Sequence, residues 1–292
     1  MIMSTETSEY TLPASVLSII QNLCLQLNVS APSPVVSQER KKRSNIQTED
    51  DGWSSVRSFK STVIEKKEGI EKTINDIKSC LNKMSIKNFD TQKNEIIQYI
   101  EGLSPTNYLI EIKQIASSIF HIASTNKFFS EIYANLYKIL INKFDVFKEI
   151  LDDFIEHFIE SMQDIKYVSQ NEDYDKYCKY NQENDARKAT SAFITNLMIN
   201  EVLAKESIVH IILQMQELID KNIDLPDKVN EVEEITENLF IILSSGLTTL
   251  KTDASWNTIA DKIREFASYK PKEKKSLSSR AIFKFMDIVQ KL

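Results

Sequence analysis

The 292-residue sequence is poor in glycine and proline, with only four glycines and six prolines. Average usage would give about 20 glycines and about 15 prolines at this length. Tight hairpins, phosphate-binding glycine loops and nucleophile elbows need backbone positions with positive φ, which glycine adopts most readily. With so few glycines and prolines, the chain has little scope for these features. Long helices joined by short polar turns are the structure that such a composition favours.

Cysteine is also scarce, with three widely spaced residues at positions 24, 80 and 178. An odd, scattered set does not form a disulfide framework, so we expect a reducing compartment. The three histidines lie on different predicted helices and none has the Glu-x-x-His or Cys/His spacing of a metal site; they are His121, His157 and His210. Neither a P-loop nor a dinucleotide-binding fingerprint is present. We therefore predict no enzyme activity, no metal and no cofactor.

Long apolar runs are absent as well, and none approaches the roughly 18 residues that a membrane span needs. The first residues carry Glu6 and Glu9 rather than a basic region ahead of an apolar stretch, so no signal peptide is expected. The net charge of -6 argues against a dedicated duplex-DNA binder. Frequent Ile, Asn and Lys indicate an AT-rich genome, such as that of a protist or a large DNA virus. We expect a cytoplasmic protein, in the host cell if the source is viral.

Apolar periodicity divides the chain into a tail (1–29), a linker (30–64) and a helical domain (65–292). The domain contains ten predicted helices: 65–82, 87–101, 106–124, 128–142, 145–167, 185–200, 203–221, 227–246, 255–268 and 277–291. Residues 169–184 are polar and are predicted to be irregular. Ten helices with short links form five hairpins of roughly 40 residues, the period of a HEAT-type α-solenoid. A compact helical bundle is the alternative fold.

Four stretches of the chain are candidate partner-binding segments. The tail segment "YTLPASVLSII" (10–20) predicts a short amphipathic helix, which docks either on a partner or on its own domain. Trp53 lies in a polar linker and is either packed on the domain or an exposed anchor. A basic run could be an RNA-attracting arm, a nuclear signal or a solubilising part of the linker; its members are Arg40, Lys41, Lys42 and Arg43. The turn "LNKMSIKNF" (81–89) separates two apolar patterns, and Asn82 and Ser85 are predicted to end and begin helices.

Four motifs, in order along the chain, resemble the middle domain of eukaryotic translation initiation factor 4G. "LNKMSIKNF" (81–89) is similar to that family's Leu-Asn-Lys-Leu-Thr followed by Phe, and "FFSEIYANL" (128–136) to its Asn-Phe-Ser…Tyr-Ala pattern. "FITNLMINEVL" (193–203) resembles Phe-Ile-Gly-Glu-Leu-Phe…Leu. "SSRAIFKFMDIVQKL" (278–292) looks like its closing helix, with Ser-Ser-Arg, then Phe and Asp at the family spacing. The resemblance covers about residues 66–292 and implies a solenoid of five HEAT hairpins.

The resemblance also implies a function, which is to bind the DEAD-box RNA helicase of translation initiation, factor 4A, and to stimulate its ATP-driven unwinding. In that family the scaffold contacts both RecA-like lobes of the helicase and favours an arrangement close to the active one. Family members also carry a tryptophan ahead of the first helix that packs on the helicase. The residues that we predict for helicase contact are Trp53, Leu81, Lys83, Met84, Phe89, Phe129 and Arg280. Within this set, Leu81 and Phe89 are expected to serve the core first, whereas Lys83 and Met84 are expected to be available to the partner.

A Tyr-x-x-x-x-Leu-apolar motif in the tail of that family binds the cap-binding factor 4E. Here the corresponding apolar pair arrives one residue late, and the residues of the suspected docking segment are Tyr10, Val16, Leu17 and Ile20. The resulting hypothesis is a scaffold, monomeric by itself, that links a helicase to a cap-binding protein and weakly to mRNA. The alternatives are a scaffold of the same fold for another DEAD-box helicase, in mRNA decay, splicing or ribosome assembly, and a helical enzyme or metal carrier.

Overall fold

The computed structural model describes residues 68–292, and this part of the chain is all-α. It contains ten α-helices and no strand. The helices are α1 (Gly69–Lys83), α2 (Phe89–Glu101), α3 (Tyr108–Thr125), α4 (Ser130–Lys143), α5 (Val146–Gln163), α6 (Tyr174–Ile199), α7 (Lys205–Ile223), α8 (Val229–Leu250), α9 (Trp256–Ser268) and α10 (Ser279–Val289). A 3₁₀ turn, Lys127–Phe129, separates α3 from α4. The predicted all-α fold is thus confirmed for these residues, with each of the ten predicted helices present.

The helices contact one another in a regular order. Each odd-numbered helix packs on the next odd-numbered one, from α1 to α9, and each even-numbered helix on the next even-numbered one, from α2 to α10. Consecutive helices also pack within each hairpin, as in α1 with α2 and α9 with α10. No helix in residues 68–292 is long and apolar enough to span a membrane.

The centre of the core is an aromatic cluster that joins three helices. The Phe193 ring on α6 lies 5.5 Å from that of Phe120 on α3 and 6.0 Å from that of Tyr137 on α4. Tyr137 also packs against Phe147 and donates its hydroxyl proton to the Phe147 carbonyl oxygen at 2.7 Å. Because burial strongly raises the pKa of Tyr137, the hydroxyl stays protonated and remains a donor.

The prediction that residues 169–184 are irregular is wrong for most of that stretch. Helix α6 begins at Tyr174 and runs for 26 residues. The Asp173 carboxylate caps it by accepting a hydrogen bond from the Lys176 backbone N–H at 3.0 Å. The polar composition of this stretch shows no helical apolar pattern, because the first turns of α6 are largely exposed. Tyr180 is the first residue of the helix to be buried.

The predicted helix 227–246 was expected to end at Gly246. In the structure this glycine lies inside α8, which continues to Leu250. A Cβ atom at this position would come within 2.9 Å of the Met198 terminal methyl and 3.1 Å of Thr195 Cγ2, both on α6. The absence of a Cβ atom at Gly246 therefore lets α8 approach α6 closely. The conformational freedom that glycine has at a helix end is not used here.

Candidate partner-binding surface

The turn between α1 and α2 is held by one side chain, that of Asn88. Its Oδ1 accepts hydrogen bonds from the Ser85 backbone N–H at 2.7 Å and from the Ser85 hydroxyl at 2.9 Å, and its Nδ2 donates to the Lys83 carbonyl at 2.9 Å. The predicted roles of Asn82 and Ser85 as helix ends are therefore wrong. Helix α1 continues through Asn82 to Lys83, and α2 begins after Asn88. These bonds fix the turn in one conformation, as Asn side chains often do.

Burial within the 81–89 stretch divides its residues between core and surface. Leu81 is buried, as expected, Phe89 is partly buried and packs against the core, and Lys83 is exposed. The prediction that Met84 is available to a partner is wrong, since only 2% of it is exposed. The chain turns to an extended conformation at Met84 (φ −64°, ψ 133°), and the side chain joins the core instead of continuing along the helix surface.

We expect Met84→Ala to lower the free energy of unfolding by about 2–4 kcal/mol, because it removes buried volume from the core. Lys83→Ala is the matched control at the adjacent, exposed position and should change that free energy by less than about 0.5 kcal/mol. Chemical denaturation of both variants measures the difference. Equal effects at the two positions would contradict the burial described here.

The second turn of this surface joins α3 to α4 and carries two phenylalanines. Phe128 is 95% exposed, whereas Phe129 is 39% exposed and its ring centroid lies 6.1 Å from that of Tyr133. The Tyr133 hydroxyl donates to the Leu81 carbonyl at 3.1 Å, and that same carbonyl accepts the Met84 backbone N–H. Tyr133 is itself buried, which raises the pKa of its hydroxyl and keeps it protonated as a donor. One side chain therefore ties the start of α4 to the end of α1 and holds the two turns together.

The two turns expose three large apolar side chains, Ile86, Phe128 and Phe129, which we together call the turn patch. Ile86 is 85% exposed. Three exposed lysines are close to these residues in the sequence; they are Lys83, at the end of α1, and Lys87 and Lys127 in the turns. Large apolar side chains that stay in water on tightly held turns are typical of a protein-binding surface. The basic residues beside them favour a partner with acidic groups around an apolar contact.

Sequence reasoning missed Ile86 and Phe128, although each has a local signal. Ile86 is a large apolar residue in a polar turn, three residues before the next helix begins. Phe128 adjoins Phe129 in a 3₁₀ turn of three residues, and two adjacent large side chains do not both point to one side. The predicted contact Phe129 does belong to the turn patch, and the predicted contacts Leu81 and Met84 lie beneath it in the core.

Arg280 is not joined to the turn patch by any contact in the described part of the chain. It lies in the first turn of α10, and its guanidinium reaches Glu233 at 3.3 Å and Glu237 at 3.0 Å, both on α8. Lys284 also pairs with Glu237, at 3.2 Å. Burial acts to raise the pKa of Glu237, but the hydrogen bonds and charges of Lys284 and Arg280 outweigh it and hold that pKa below its usual value. Arg280 therefore helps to hold α10 against α8. Its contact with a partner stays a prediction.

The other predicted contact residues lie outside the described residues. They are Trp53, the suspected cap-binding segment with Tyr10, Val16, Leu17 and Ile20, and the basic run from Arg40 through Lys41 and Lys42 to Arg43. These assignments stay predictions.

The three histidines and Cys80 lie on four separate helices of the described part of the chain. No group of three or more His, Cys, Asp or Glu side chains in this range is arranged to hold a metal ion. His121, His157 and His210 are all exposed, on α3, α5 and α7. The Cys80 thiol is buried and donates to Glu95 Oε2 at 3.3 Å, and burial together with this hydrogen bond raises the pKa of the thiol to about 11. Such a thiol is protonated at neutral pH and is a poor nucleophile.

Comparison with known protein families finds no family that matches the chain, and comparison with curated proteins finds no match either.

Proposed function

We propose that this protein is a non-enzymatic scaffold that binds and activates a DEAD-box RNA helicase of factor 4A type in translation initiation. The observation that carries the proposal is the turn patch, a preformed apolar surface with lysines beside it. It occupies the 81–89 turn and the start of the 128–136 stretch, which are the first two of the four motifs that resemble the factor 4G middle domain. Exposed apolar residues thus coincide with the two motifs, and this coincidence supports a helicase as the partner.

The order of helix contacts supports a HEAT-type solenoid as the finer description of the fold. In such a solenoid each hairpin packs on the next, so that first helices contact first helices and second helices contact second helices. The odd-to-odd and even-to-even contacts of α1–α10 follow this order. The first three hairpins begin at Gly69, Tyr108 and Val146, which are separated by about 40 residues, the usual HEAT period.

Activation follows from differential binding of two helicase states. A helicase with two mobile lobes spends only part of its time in the arrangement that hydrolyses ATP. A scaffold that binds this arrangement more tightly raises its population by the ratio of the two affinities. The side-chain hydrogen bonds that hold the turns favour tight binding, because an ordered surface loses little conformational freedom on binding.

The proposal is tested with the full chain and a purified factor 4A-type helicase. We expect binding at micromolar concentration or tighter and a several-fold increase in RNA-dependent ATP hydrolysis. A DEAD-box helicase from mRNA decay or ribosome assembly, tested in parallel, provides the specificity control. Absence of binding to the factor 4A-type helicase at micromolar concentration would rule out the proposal, and preference for the other helicase would assign the scaffold to a different process.

A further inference from the structure

A groove runs between α3 and α5, which pack side by side. One cavity in this groove has a volume of about 250 Å³, below the range of roughly 300–1,000 Å³ that small-molecule sites usually occupy. Ile150 and Phe154, both partly exposed, supply its apolar wall. The Phe154 ring is held in place by the buried ring of Phe120, with centroids 4.3 Å apart. A cavity of this size suits one large side chain of a partner, the kind of anchor that fills pockets in protein interfaces.

The groove continues into a second cavity of about 400 Å³, which lies between α5 and α6. The two cavities share Phe154 and His157 as lining residues. The charged lining residues of the second cavity carry both signs; they are Asp164, Glu183 and Arg187. This cavity therefore adds length to the groove rather than a strong charge of one sign. Two connected cavities in a row fit an extended peptide segment.

Three carboxylates of α5 lie beside the first cavity, and we call Asp153, Glu156 and Glu160 the acidic stripe. All three are exposed, and none has an ion pair among residues 68–292. Their spacing of three and four residues places them on one side of the helix, together with His157. Asp153 itself lines the cavity. The apolar wall of the groove is thus bordered by accessible negative charge.

His157 shows that the acidic stripe acts on the groove. Its Nδ1 lies 2.6 Å from the Asp153 backbone oxygen. This hydrogen bond raises the pKa of His157, and the charges of Glu160, Glu156 and Asp153 raise it further, although desolvation opposes them. Because His157 lines both cavities, the three carboxylates produce a negative potential where the cavities meet.

The cations nearby do not neutralise the acidic stripe. Lys113, on α3, pairs with a different carboxylate of α5 at 3.1 Å. Lys148 lies nine residues before His157 and, at about 3.6 residues per turn, on the opposite side of α5. Arg187, on α6, is 9% exposed, and its guanidinium is engaged by hydrogen bonds to α5 and α6. Lys78 lines a cavity between α1 and α3. The acidic stripe is therefore left without a cation from the described part of the chain.

We propose that this groove binds an extended segment of a partner protein in which one large apolar or aromatic side chain is flanked by lysine or arginine. The large side chain fills the cavity beside Ile150 and Phe154, and the flanking basic residues pair with the acidic stripe. Apolar anchors contribute most of the affinity of such contacts, and complementary charge around them selects the partner. Nucleic acid is disfavoured, because its phosphates would face three carboxylates. The groove shares no residue with the turn patch.

The first experiment needs no variant and no helicase, so its outcome is independent of the proposed function. Three peptides with blocked ends are titrated into the full chain and followed by calorimetry: Lys-Arg-Trp-Arg-Lys, Lys-Arg-Ala-Arg-Lys and Glu-Glu-Trp-Glu-Glu. We expect the first to bind with a Kd below about 1 mM, and each of the others at least about tenfold more weakly. Equal binding of the tryptophan and alanine peptides would overturn the proposed anchor. Equal binding of the acidic peptide would overturn the proposed charge.

The three histidines of the chain locate the binding by NMR. His121 and His157 line the first cavity, whereas His210, on α7, lines neither cavity. The imidazole C–H signals of the two groove histidines, assigned by replacing each histidine with glutamine, should shift with Lys-Arg-Trp-Arg-Lys, and that of His210 should not. The pKa of His157 should fall on saturation, because the positive charges of the peptide oppose its protonation. No shift at His157, or equal shifts at all three, would refute the site.

The second experiment assigns the charge to the acidic stripe. Asp153→Asn with Glu156→Gln and Glu160→Gln should weaken binding of Lys-Arg-Trp-Arg-Lys by at least about tenfold at low salt. The matched control makes the same chemical changes at exposed residues that line neither cavity and have no ion pair among residues 68–292; it is Asp287→Asn with Glu201→Gln and Glu206→Gln. Thermal denaturation verifies that both variants are folded. Equal loss in the two variants would show a general effect of net charge and refute the site.

Two further results would assign the groove to another occupant and overturn the proposal. A shift of the His157 signal on addition of oligouridylate would assign it to RNA. A shift of that signal with protein concentration, in the absence of peptide, would assign it to a second copy of this chain. With a peptide-like partner as the occupant, neither addition of oligouridylate nor a change in protein concentration should move the signal.

Discussion

The double substitution Ile86→Asp with Phe128→Asp is expected to weaken the proposed binding of a factor 4A-type helicase by at least about 100-fold. The two side chains are 85% and 95% exposed, and each replacement exchanges an apolar contact for a carboxylate. A carboxylate that is desolvated against a partner surface without a cation is strongly unfavourable. Loss of ATPase stimulation should accompany the loss of affinity. Calorimetric titration of the helicase with wild type and variant measures the change.

Stability separates this effect from unfolding. Both positions are exposed in turns, so the melting temperature of the variant should stay within a few degrees of wild type. Leu109→Asp with Ile110→Asp is the matched control, because these residues are 72% and 65% exposed and lie outside the turn patch, at the start of α3. A control that weakens binding as much as the test variant would show that the turn patch is not the binding surface.

The second large effect is expected in the core, where Phe193→Ala should lower the free energy of unfolding by about 3–5 kcal/mol. Phe193 is fully buried, and its ring contacts Phe120 on α3 and Tyr137 on α4. Removal of the ring leaves a cavity at the junction of three helices that rigid neighbours fill only in part. Against a total stability of about 5–15 kcal/mol, such a loss is severe.

Phe128→Ala is the control for this prediction, since it makes the same chemical change at a residue that is 95% exposed. We expect it to change the free energy of unfolding by less than about 0.5 kcal/mol. Urea denaturation of both variants, analysed for a common slope, measures the two values. A loss below about 1 kcal/mol for Phe193→Ala would contradict the central position of the aromatic cluster.

The core and the turn patch are connected through Tyr133. Its ring supports Phe129, and its hydroxyl bonds the carbonyl at the end of α1. Phe129 is therefore supported by a residue that is itself fixed by the core. This arrangement suits a scaffold, which has to present a surface in one conformation so that binding energy is not spent on ordering it.

The sequence predicted the helices better than it predicted their ends. Apolar residues at three- and four-residue spacing identified all ten helices, because a helix that packs on a core repeats its buried face every turn. The ends were less certain, and α6 shows why. Its first turns are polar and exposed, so they carry no periodic signal, and the capping of the helix by Asp173 is a local hydrogen bond that composition does not reveal.

The candidate surface was predictable only in part. Leu81 was expected in the core and Lys83 at the surface, and both expectations are confirmed. Met84 was predicted at the surface but is buried in the core. The backbone changes direction at that residue, so a helical pattern no longer applies there. The link between the two turns depends on a hydrogen bond between residues 52 positions apart, and no local pattern encodes such a contact.

By itself, then, the sequence determined that residues 68–292 are helical and which face of most helices is apolar. These properties depend on residues within a turn or two of one another. The tertiary structure alone decided that Ile86 and Phe128 lie on turns joined by Tyr133, that Arg280 fastens α10 to α8, and that Gly246 permits α8 to approach α6. Each of these depends on how separate helices pack, and packing is set by the combined shapes of side chains distant in the chain.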